Sequence, residues 1–408
     1  MAVFFTAALV ACGNRVRGEE TMKKETIIVL GGGLVGGPMA LDLAAEERFA
    51  VTVADVNEVA LEELRAKQPK LTVIREDLSS PSKVTELVAG YDIVLNAVPG
   101  FMGFATLDAI IEARKNVVDI SFFAQDPFTL NDKAVRAGVT AIVDCGVSPG
   151  LSNLLIGRVA AELDRVENVL IYVGGLPEVR QWPYEYKAVY SPMDVIAVYT
   201  RPARYVENGV MVARPALSDP ELIDVPGIGT LEAFNTDGLR SLAQTISSPN
   251  MKEKTLRYPG HIEKMAMLRD TGFFDEAEIM VGGFAVRPID FTAELLFPKW
   301  KMGPGEGDIT VLWVQVEGRQ GGREVRHIFR MLDRYDPHAG TLSMARTTGY
   351  TATAAMRMLI EGLYKEPGIA PPELIGRHKE PCDFMIRCLR ERQVVCEEEV
   401  IGGSPILC

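Results

Sequence analysis

The sequence predicts an α/β protein in which a doubly wound parallel sheet is followed by a second, α+β domain. Three observations carry this. An apolar run, Thr26-Ile27-Ile28-Val29-Leu30, passes directly into Gly31-Gly32-Gly33-Leu34-Val35-Gly36, and a second run, Val51-Thr52-Val53-Ala54, closes on Asp55. From Thr26 to about Gly150, short apolar runs alternate with amphipathic helical stretches, the pattern of parallel strands with helices on both faces. After Leu151 the texture changes to longer alternating strands, such as Val169-Leu170-Ile171-Tyr172-Val173 and the run 309–316.

Taken in order, the apolar runs place strands at 26–30, 50–54, 71–75, 92–97, 116–120 and 140–143. Helical patterns fill 34–47, 58–67, 82–88, 106–114 and 126–137, each bounded by Gly, Pro, Asn or Asp. This is the Rossmann arrangement, and its first turn has the chemistry of a dinucleotide site. Gly31 permits the tight turn out of the strand, Gly33 lets a pyrophosphate approach the backbone, and Gly36 lets the new helix pack close to the sheet. The phosphates then meet free N–H groups at the helix start, beside Leu34 and Val35. Asp55 accepts hydrogen bonds from the adenosine ribose, and its charge repels the extra phosphate of NADP, so the expected cofactor is NAD. Ligands of such sheets lie at the carboxyl ends of the strands, which brings in Asp77, Leu78, Ala97, Val98, Pro99, Ser121, Val147, Pro149 and Gly150. Ala97-Val98-Pro99 and Val147-Ser148-Pro149-Gly150 are expected to hold the nicotinamide amide through backbone groups, or else are plain strand-end turns.

The second domain is expected over 151–342, to carry substrate and dimer contacts. The run 309–316, then Gly318-Arg319-Gln320-Gly321-Gly322 and a further strand to Met331, reads as a long hairpin. A helical pattern at 343–366 should pack back on the nucleotide domain of residues 22–150, leaving 367–408 as a tail. The segment 1–21 is an apolar extension ending near Cys12 that lacks a positive leader, and Met22, beside Lys23-Lys24, is the expected start. Composition, at 47% hydrophobic and 24% charged over 408 residues, is that of an ordinary enzyme. A net charge of −12, from 43 Lys+Arg against 55 Asp+Glu, argues against a nucleic-acid partner. No membrane-spanning run is visible, and six cysteines without a C-x-x-C pair suggest reduced thiols in a cytoplasm. Four of those cysteines crowd the end of the chain near His378, but their gaps are too irregular for a zinc site, and no metal is expected.

Four later segments are more specific than the glycine loop. They are Val147-Ser148-Pro149-Gly150-Leu151, Tyr172-Val173-Gly174-Gly175-Leu176-Pro177, Leu231-Glu232-Ala233-Phe234-Asn235-Thr236 and Thr255-Leu256-Arg257-Tyr258-Pro259-Gly260-His261. In them the chain resembles the saccharopine dehydrogenase superfamily, with its nearest likeness to the lysine 6-dehydrogenases, from Lys23 to about Glu373. The resemblance implies NAD-dependent oxidation of the ε-amine of L-lysine, giving an imine that hydrolyses to the semialdehyde, which cyclises, and ammonia. It also implies a homo-oligomer, a dimer or larger.

Such a reaction needs a base near the nicotinamide, because hydride leaves a carbon bearing nitrogen only when the nitrogen lone pair is free. It also needs a forked cation for the substrate carboxylate and an acceptor for the α-ammonium. His261 is the candidate base, or else a cap for the helix that follows it. Lys264, three residues on, either tunes His261 or binds the carboxylate. Arg257 is the candidate clamp, or else part of a solvated strand face. Glu185 can pair with a substrate ammonium or face water, while Tyr186 either touches substrate or packs at the domain seam. Thr236 and Asp237, with Gly238, donate backbone and hydroxyl hydrogen bonds to a bound amino acid, or simply form a turn. Two rivals stand beside the lysine reading. One is a saccharopine dehydrogenase or carboxynorspermidine synthase type of enzyme, whose larger substrate needs a second cationic site, with Arg240, Arg269 and Lys264 as candidates. The other is a catalytically silent NAD-binding protein.

Overall fold

The computed structural model describes residues 24–303 and 305–402; the extension before Met22, Cys12 and Cys408 lie outside them. Six strands, β1 (Glu25–Leu30), β2 (Phe49–Asp55), β3 (Thr72–Arg75), β4 (Ile93–Asn96), β5 (Asn116–Asp119) and β6 (Thr140–Ile142), occupy the six apolar runs. The second half contributes β7 (Arg165–Pro177), β8 (Ala203–Glu207), β9 (Val210–Arg214), β10 (Glu221–Val225), β11 (Gly229–Asn235) and β12 (Asn250–Arg257). A small hairpin of β13 (Ile279–Val281) and β14 (Phe284–Val286) precedes β15 (Asp308–Gln320) and β16 (Arg323–Arg334). Near the end of the chain come β17 (Gly368–Ile369) and β18 (Glu397–Gly402).

The first sheet is parallel, in the order β17-β6-β5-β4-β1-β2-β3. Ile27, Ile28, Val29 and Leu30 of β1 are fully buried because helices cover both faces, which is why its residues read as a continuous apolar run without alternation. The order reverses between β1 and β4, so the carboxyl ends of these two strands splay apart and leave a crevice for a ligand.

The second sheet follows the order β10-β11-β12-β7-β15-β16-β18, with β8 on β12 and β9 on β8. Its strands are antiparallel except for the pair β7 and β12. The expected hairpin is β15–β16, closed at Gln320↔Arg323 by Gly321 and Gly322 with φ of 59° and 75°. Two consecutive left-handed residues match the twist of the strands, and glycine adopts them without a Cβ penalty.

The returning helix runs Ser343–Ile360 and packs on the helix Gly36–Ala44 of the first sheet. Its start is capped by a residue distant in sequence. The buried carboxylate of Asp308 accepts the N–H groups of Ser343 (2.6 Å) and Met344 (2.9 Å), and burial pushes its pKa up to about 6. The same helix is tied to the first domain by Arg357, which reaches Glu46 (2.6 Å) and Asp42 (2.8 Å), while Arg392 takes the other oxygen of Asp42 at 2.7 Å. The segment from 367 onward is spliced into the fold. β17 extends the parallel sheet, β18 extends the second one, and Cys382 and Cys388 are buried on the helix Lys379–Glu391 between them.

Replacing Arg357, which is 3% exposed, by Leu leaves Glu46 without its shortest contact and Asp42 with Arg392 and the Thr353 hydroxyl. The expected cost is about 3 kcal/mol of unfolding free energy by urea titration, at the low end for a broken buried pair. A loss well below about 1 kcal/mol would show that Arg392 and Thr353 suffice.

Candidate active site

A cleft of about 450 Å³ lies between the two sheets, and its walls come from both. On the first sheet it begins at the glycine turn. Gly31 has φ +97°, and a Cβ there would stand 2.6 Å from the carbonyl oxygen of Ala97; a Cβ on Gly36 would stand 2.0 Å from that of Gly31. Both positions therefore require glycine for packing. Gly33 differs, since a Cβ there would meet nothing within 4 Å, so its bare backbone faces open space at the helix start. Asp55 accepts the N–H of Gly32 at 2.7 Å on one oxygen and that of Asn57 at 2.8 Å on the other, which holds its carboxylate at the end of β2. An open glycine at a helix N-terminus with a fixed carboxylate across the turn fits the pyrophosphate and ribose of a dinucleotide.

Twelve of the fifteen expected cofactor residues line this cleft: Gly31, Gly33, Leu34, Val35, Gly36, Asp55, Ala97, Val98, Pro99, Ser121, Val147 and Pro149. Three do not. Asp77 turns to cap its own loop at the N–H of Ser79 (2.9 Å), and Leu78 is buried among the apolar residues behind the sheet. Gly150 shapes the turn from beneath, where a Cβ would collide with Gly146. Ser121 is held by Asp119, which accepts its N–H at 2.7 Å and takes Asn96 Nδ2 at 2.8 Å. Asp119 is fully buried, and burial pushes its pKa up to about 7.

The second sheet supplies the opposite wall. Glu253, Thr255 and Arg257 alternate along β12 and all three line the cleft, beside Gly174 and Gly175 of β7. Arg257 is 2% exposed; its Nε donates to the Tyr199 hydroxyl (3.2 Å), its Nη1 to the Leu256 carbonyl (2.9 Å), and its guanidinium lies 4.6 Å from the Tyr186 ring centroid. Among the described residues no carboxylate pairs with it. Arg201, at the end of the helix Pro192–Thr200, also lines the cleft, stacks on Phe122 at 4.8 Å, and has a buried Nη1 without a hydrogen-bond partner. Burial, with the charge of Arg240, pulls its pKa down.

Of the residues expected to act on substrate, Arg257, Thr236 and Asp237 line the cleft, whereas His261, Lys264, Glu185 and Tyr186 do not. His261 is fully buried behind Arg257, with Nε2 at 2.9 Å from the Tyr199 hydroxyl and Nδ1 at 2.8 Å from the Tyr184 carbonyl. Burial and the Arg257 charge pull its pKa down to about 3, so it is a neutral support for Tyr199 and not the expected base. Lys264 bonds the Gly260 carbonyl (2.9 Å) and lies over Trp182, outside the cleft. Glu185 is spent on Arg180. Tyr186 is buried as the ring under Arg257 and packs within the second domain, not at the domain seam. Asp237 is held by two 2.8 Å bonds from Arg204, so it is not a free acceptor for an ammonium. The candidate second cations are occupied too: Arg240 pairs with Asp144, Arg269 with Asp270, and Lys264 as described.

The sequence reading missed Glu253, Arg201 and Tyr199. Glu253 carried a signal, since it shares the strand face of Arg257 four residues away, but Lys252-Glu253-Lys254 looks like a solvated charge run. Arg201 and Tyr199 sit on a helix end whose approach to the cleft is set only by packing.

A neutral buried histidine has a measurable consequence. Its folded pKa lies below the ordinary value, so its contribution is intact above about pH 6.5 and is lost as pH falls toward 3, where the unfolded chain takes a proton that the folded one refuses. His261→Asn should flatten the fall in urea midpoint between pH 7 and pH 5 by up to about one bound proton; an unchanged slope means His261 titrates normally.

The comparisons with known proteins agree with this geometry. Residues 27–142 match the family described as the saccharopine dehydrogenase NADP binding domain, and residues 146–394 the saccharopine dehydrogenase C-terminal domain. The chain is 28% identical over 458 residues to saccharopine dehydrogenase [NADP(+), L-glutamate-forming] of Pyricularia oryzae, spanning 93% of this chain and 100% of that one. It is 22% identical over 406 residues to carboxyaminopropylagmatine dehydrogenase of Synechocystis, spanning 93% and 98%. The apo structure of saccharopine dehydrogenase (L-Glu forming) from Saccharomyces cerevisiae superposes with a TM-score of 0.75 at 19% identity, over 92% of this chain and 100% of that one, and shows the same fold. With both family domains present in order around one cleft, the chain belongs to the saccharopine dehydrogenase family.

Proposed function

We propose that the chain is a nicotinamide-dependent dehydrogenase that oxidises a carbon–nitrogen bond of an amino-acid amine, and that its substrate is a secondary amine bearing at least two carboxylates. The observation that carries this is the pair of guanidinium groups, Arg257 and Arg201, that line the cleft without a carboxylate partner among the described residues. A buried cation is costly unless compensated, and a carboxylate of the substrate compensates it. Arg257, fixed by Tyr199 and the Leu256 carbonyl, presents its fork from the deep wall. Arg201 presents its free Nη1 beside Phe122, on the side of the parallel sheet. A dinucleotide bound on Gly31–Gly36 supplies the hydride acceptor at its nicotinamide. The carbon–nitrogen bond to be oxidised then lies near Arg201, with the far carboxylate on Arg257. The name of the Pyricularia oryzae relative, which acts on saccharopine, a secondary amine with three carboxylates, is in keeping with this substrate class, whereas carboxyaminopropylagmatine, in the name of the Synechocystis relative, is a secondary amine with one.

The lysine ε-amine reading is supported by the likeness of the four sequence segments and needs only one carboxylate anchor. It also needs an acceptor for the α-ammonium, and Glu185, the residue expected to pair with it, is engaged by Arg180 outside the cleft. The cofactor reading is NAD. An acidic residue at the end of the second strand accepts the ribose hydroxyls of NAD and repels the 2′-phosphate of NADP, and Asp55 holds that position. This differs from the cofactor in the name of the Pyricularia oryzae relative.

Initial rates with NAD and either saccharopine or lysine, followed at the reduced-nicotinamide absorbance, test the substrate class. Saccharopine should be turned over faster, and Arg257→Met should raise its KM roughly 10- to 100-fold, the worth of a charge-assisted hydrogen bond. Faster turnover of lysine, unaffected by Arg201→Met, overturns the two-carboxylate reading. Asp55→Asn should shift the NAD to NADP preference toward NADP by about tenfold or more, and an unmoved ratio removes Asp55 from the ribose.

A further inference from the structure

We propose that Glu253 takes the proton from the substrate amine, and that strand β12 sets the distance between this acceptor and the carboxylate anchor. The inference rests on the reading of the cleft as an amine dehydrogenase. Residues 253, 255 and 257 project to one face of the strand, and all three line the cleft. At a rise of about 3.3 Å per residue, the four steps from Glu253 to Arg257 span roughly 13 Å of backbone. Thr255 stands between them, and Gly174 and Gly175 of β7 line the cleft beside it.

The two ends of this ruler face different chemistry. Arg257 is enclosed by Tyr199 and Tyr186 within the second domain. Glu253 is bound to the segment after β11: its Oε2 accepts the Thr236 hydroxyl and the Gly238 N–H (3.1 Å). Two residues further on, Arg240 reaches Asp144 (2.9 Å) and the Phe123 carbonyl, which follow β6 and β5. The Glu253 end therefore abuts the carboxyl ends of the parallel strands, where the nicotinamide belongs. A substrate held by its carboxylate on Arg257 extends its amine toward Glu253.

The carboxylate is placed for this and little else. Gly238 lets it lie against the backbone, since a Cβ there would stand 2.4 Å from the Glu253 carboxyl group. Among the described residues its Oε1 has no hydrogen-bond partner. Lys254, next in the chain, points away and bonds Glu221 (2.7 Å). The charged groups that face Glu253 are Asp237 and Arg257, with opposite effects, and burial exceeds both and lifts its pKa to about 7. At neutral pH it is divided between a carboxylate that can accept a proton and a carboxylic acid that has done so.

The step balances as follows. The substrate enters as an ammonium, one N–H bond breaks, and a Glu253 O–H bond forms while the electron pair stays on nitrogen. That pair becomes the carbon–nitrogen double bond as the adjacent C–H electrons leave as hydride to the oxidised nicotinamide. Water then adds to the iminium carbon and releases the amine.

Two measurements test this with the full chain and NAD, using saccharopine and lysine as probes. In the wild type, kcat/KM should rise through a midpoint near pH 7, and binding of the amine should release about half a proton per site at pH 7, read with an indicator in weak buffer. Glu253→Gln should lower kcat about 100-fold or more and abolish both the acidic limb and the proton release, while NADH binding by fluorescence stays within about twofold. Thr236→Val, which removes a donor to the carboxylate, should move the limb to higher pH, a shift that a merely structural glutamate would not produce. Wild-type turnover that Glu253→Gln retains with its acidic limb, or a limb that Thr236→Val leaves in place, overturns the assignment alone. Failure of the wild type to oxidise either amine overturns the functional reading and Glu253 with it.

Discussion

A buried ion pair between the two halves of the chain makes the cleft. Arg240, from the segment after β11, reaches Asp144, at the end of β6, and the carbonyl of Phe123; the two side chains are 3% and 1% exposed. Both residues are in left-handed conformations, with φ of 51° and 54°, and the guanidinium lies against the rings of Phe122 and Phe123. Non-glycine residues hold such backbone only where their surroundings over-determine it. A pair of this kind contributes little net stability, because desolvation offsets its attraction, but it specifies one relative placement of its two elements. That placement sets Glu253 and Arg201 opposite the strand ends, and the reactive geometry follows from it. Asp194 adds a second link, reaching the start of the helix Gly100–Glu112, where a Cβ on Gly100 would crowd its carboxylate at 2.9 Å.

Within the cleft, charge is distributed with a direction. The carboxylates Asp144 and Asp237 are matched by Arg240 and Arg204, so they act as structure. Arg257 and Arg201 are left unmatched on the same surface, as is one oxygen of Glu253. Unmatched polar groups in a buried site cost stability, and a ligand that completes them recovers that cost. The support for Arg257 extends outward through Tyr199 to His261, whose neutral ring is held by the Tyr184 carbonyl. A histidine in that position keeps a second positive charge away from the guanidinium.

Most of the residues that the sequence proposed for the nucleotide lie along the cleft. Gly31, Gly36, Asp55 and the residues after each parallel strand act through backbone geometry within a few positions of one another, and such local patterns are visible in a string of letters. Gly150 lies beneath its turn, and Asp77 and Leu78 are away from the cleft because β3 has the same form as its neighbours but its following turn is directed elsewhere. The substrate side was legible only in part. Arg257 was identified from its segment, but His261, four residues on, was assigned to chemistry when it lies behind the wall. The chain reverses at Pro259-Gly260, and a sequence does not show which side of a turn faces a partner.

By itself the sequence determined the parallel, doubly wound character of the first sheet, the glycine turn, the long β15–β16 hairpin and the return of the helix Ser343–Ile360, because each follows from hydrophobic period and turn chemistry. Only the tertiary structure decided which charges are spent and which are free. Arg204 and Arg240 find carboxylates and Arg201 and Arg257 do not, Glu253 rather than His261 meets the cleft, and the segment after 367 joins two sheets instead of trailing as a tail. The physical reason is that an ionisable side chain takes its character from burial and from neighbours tens of residues away, whereas a strand or a turn takes its form from residues beside it.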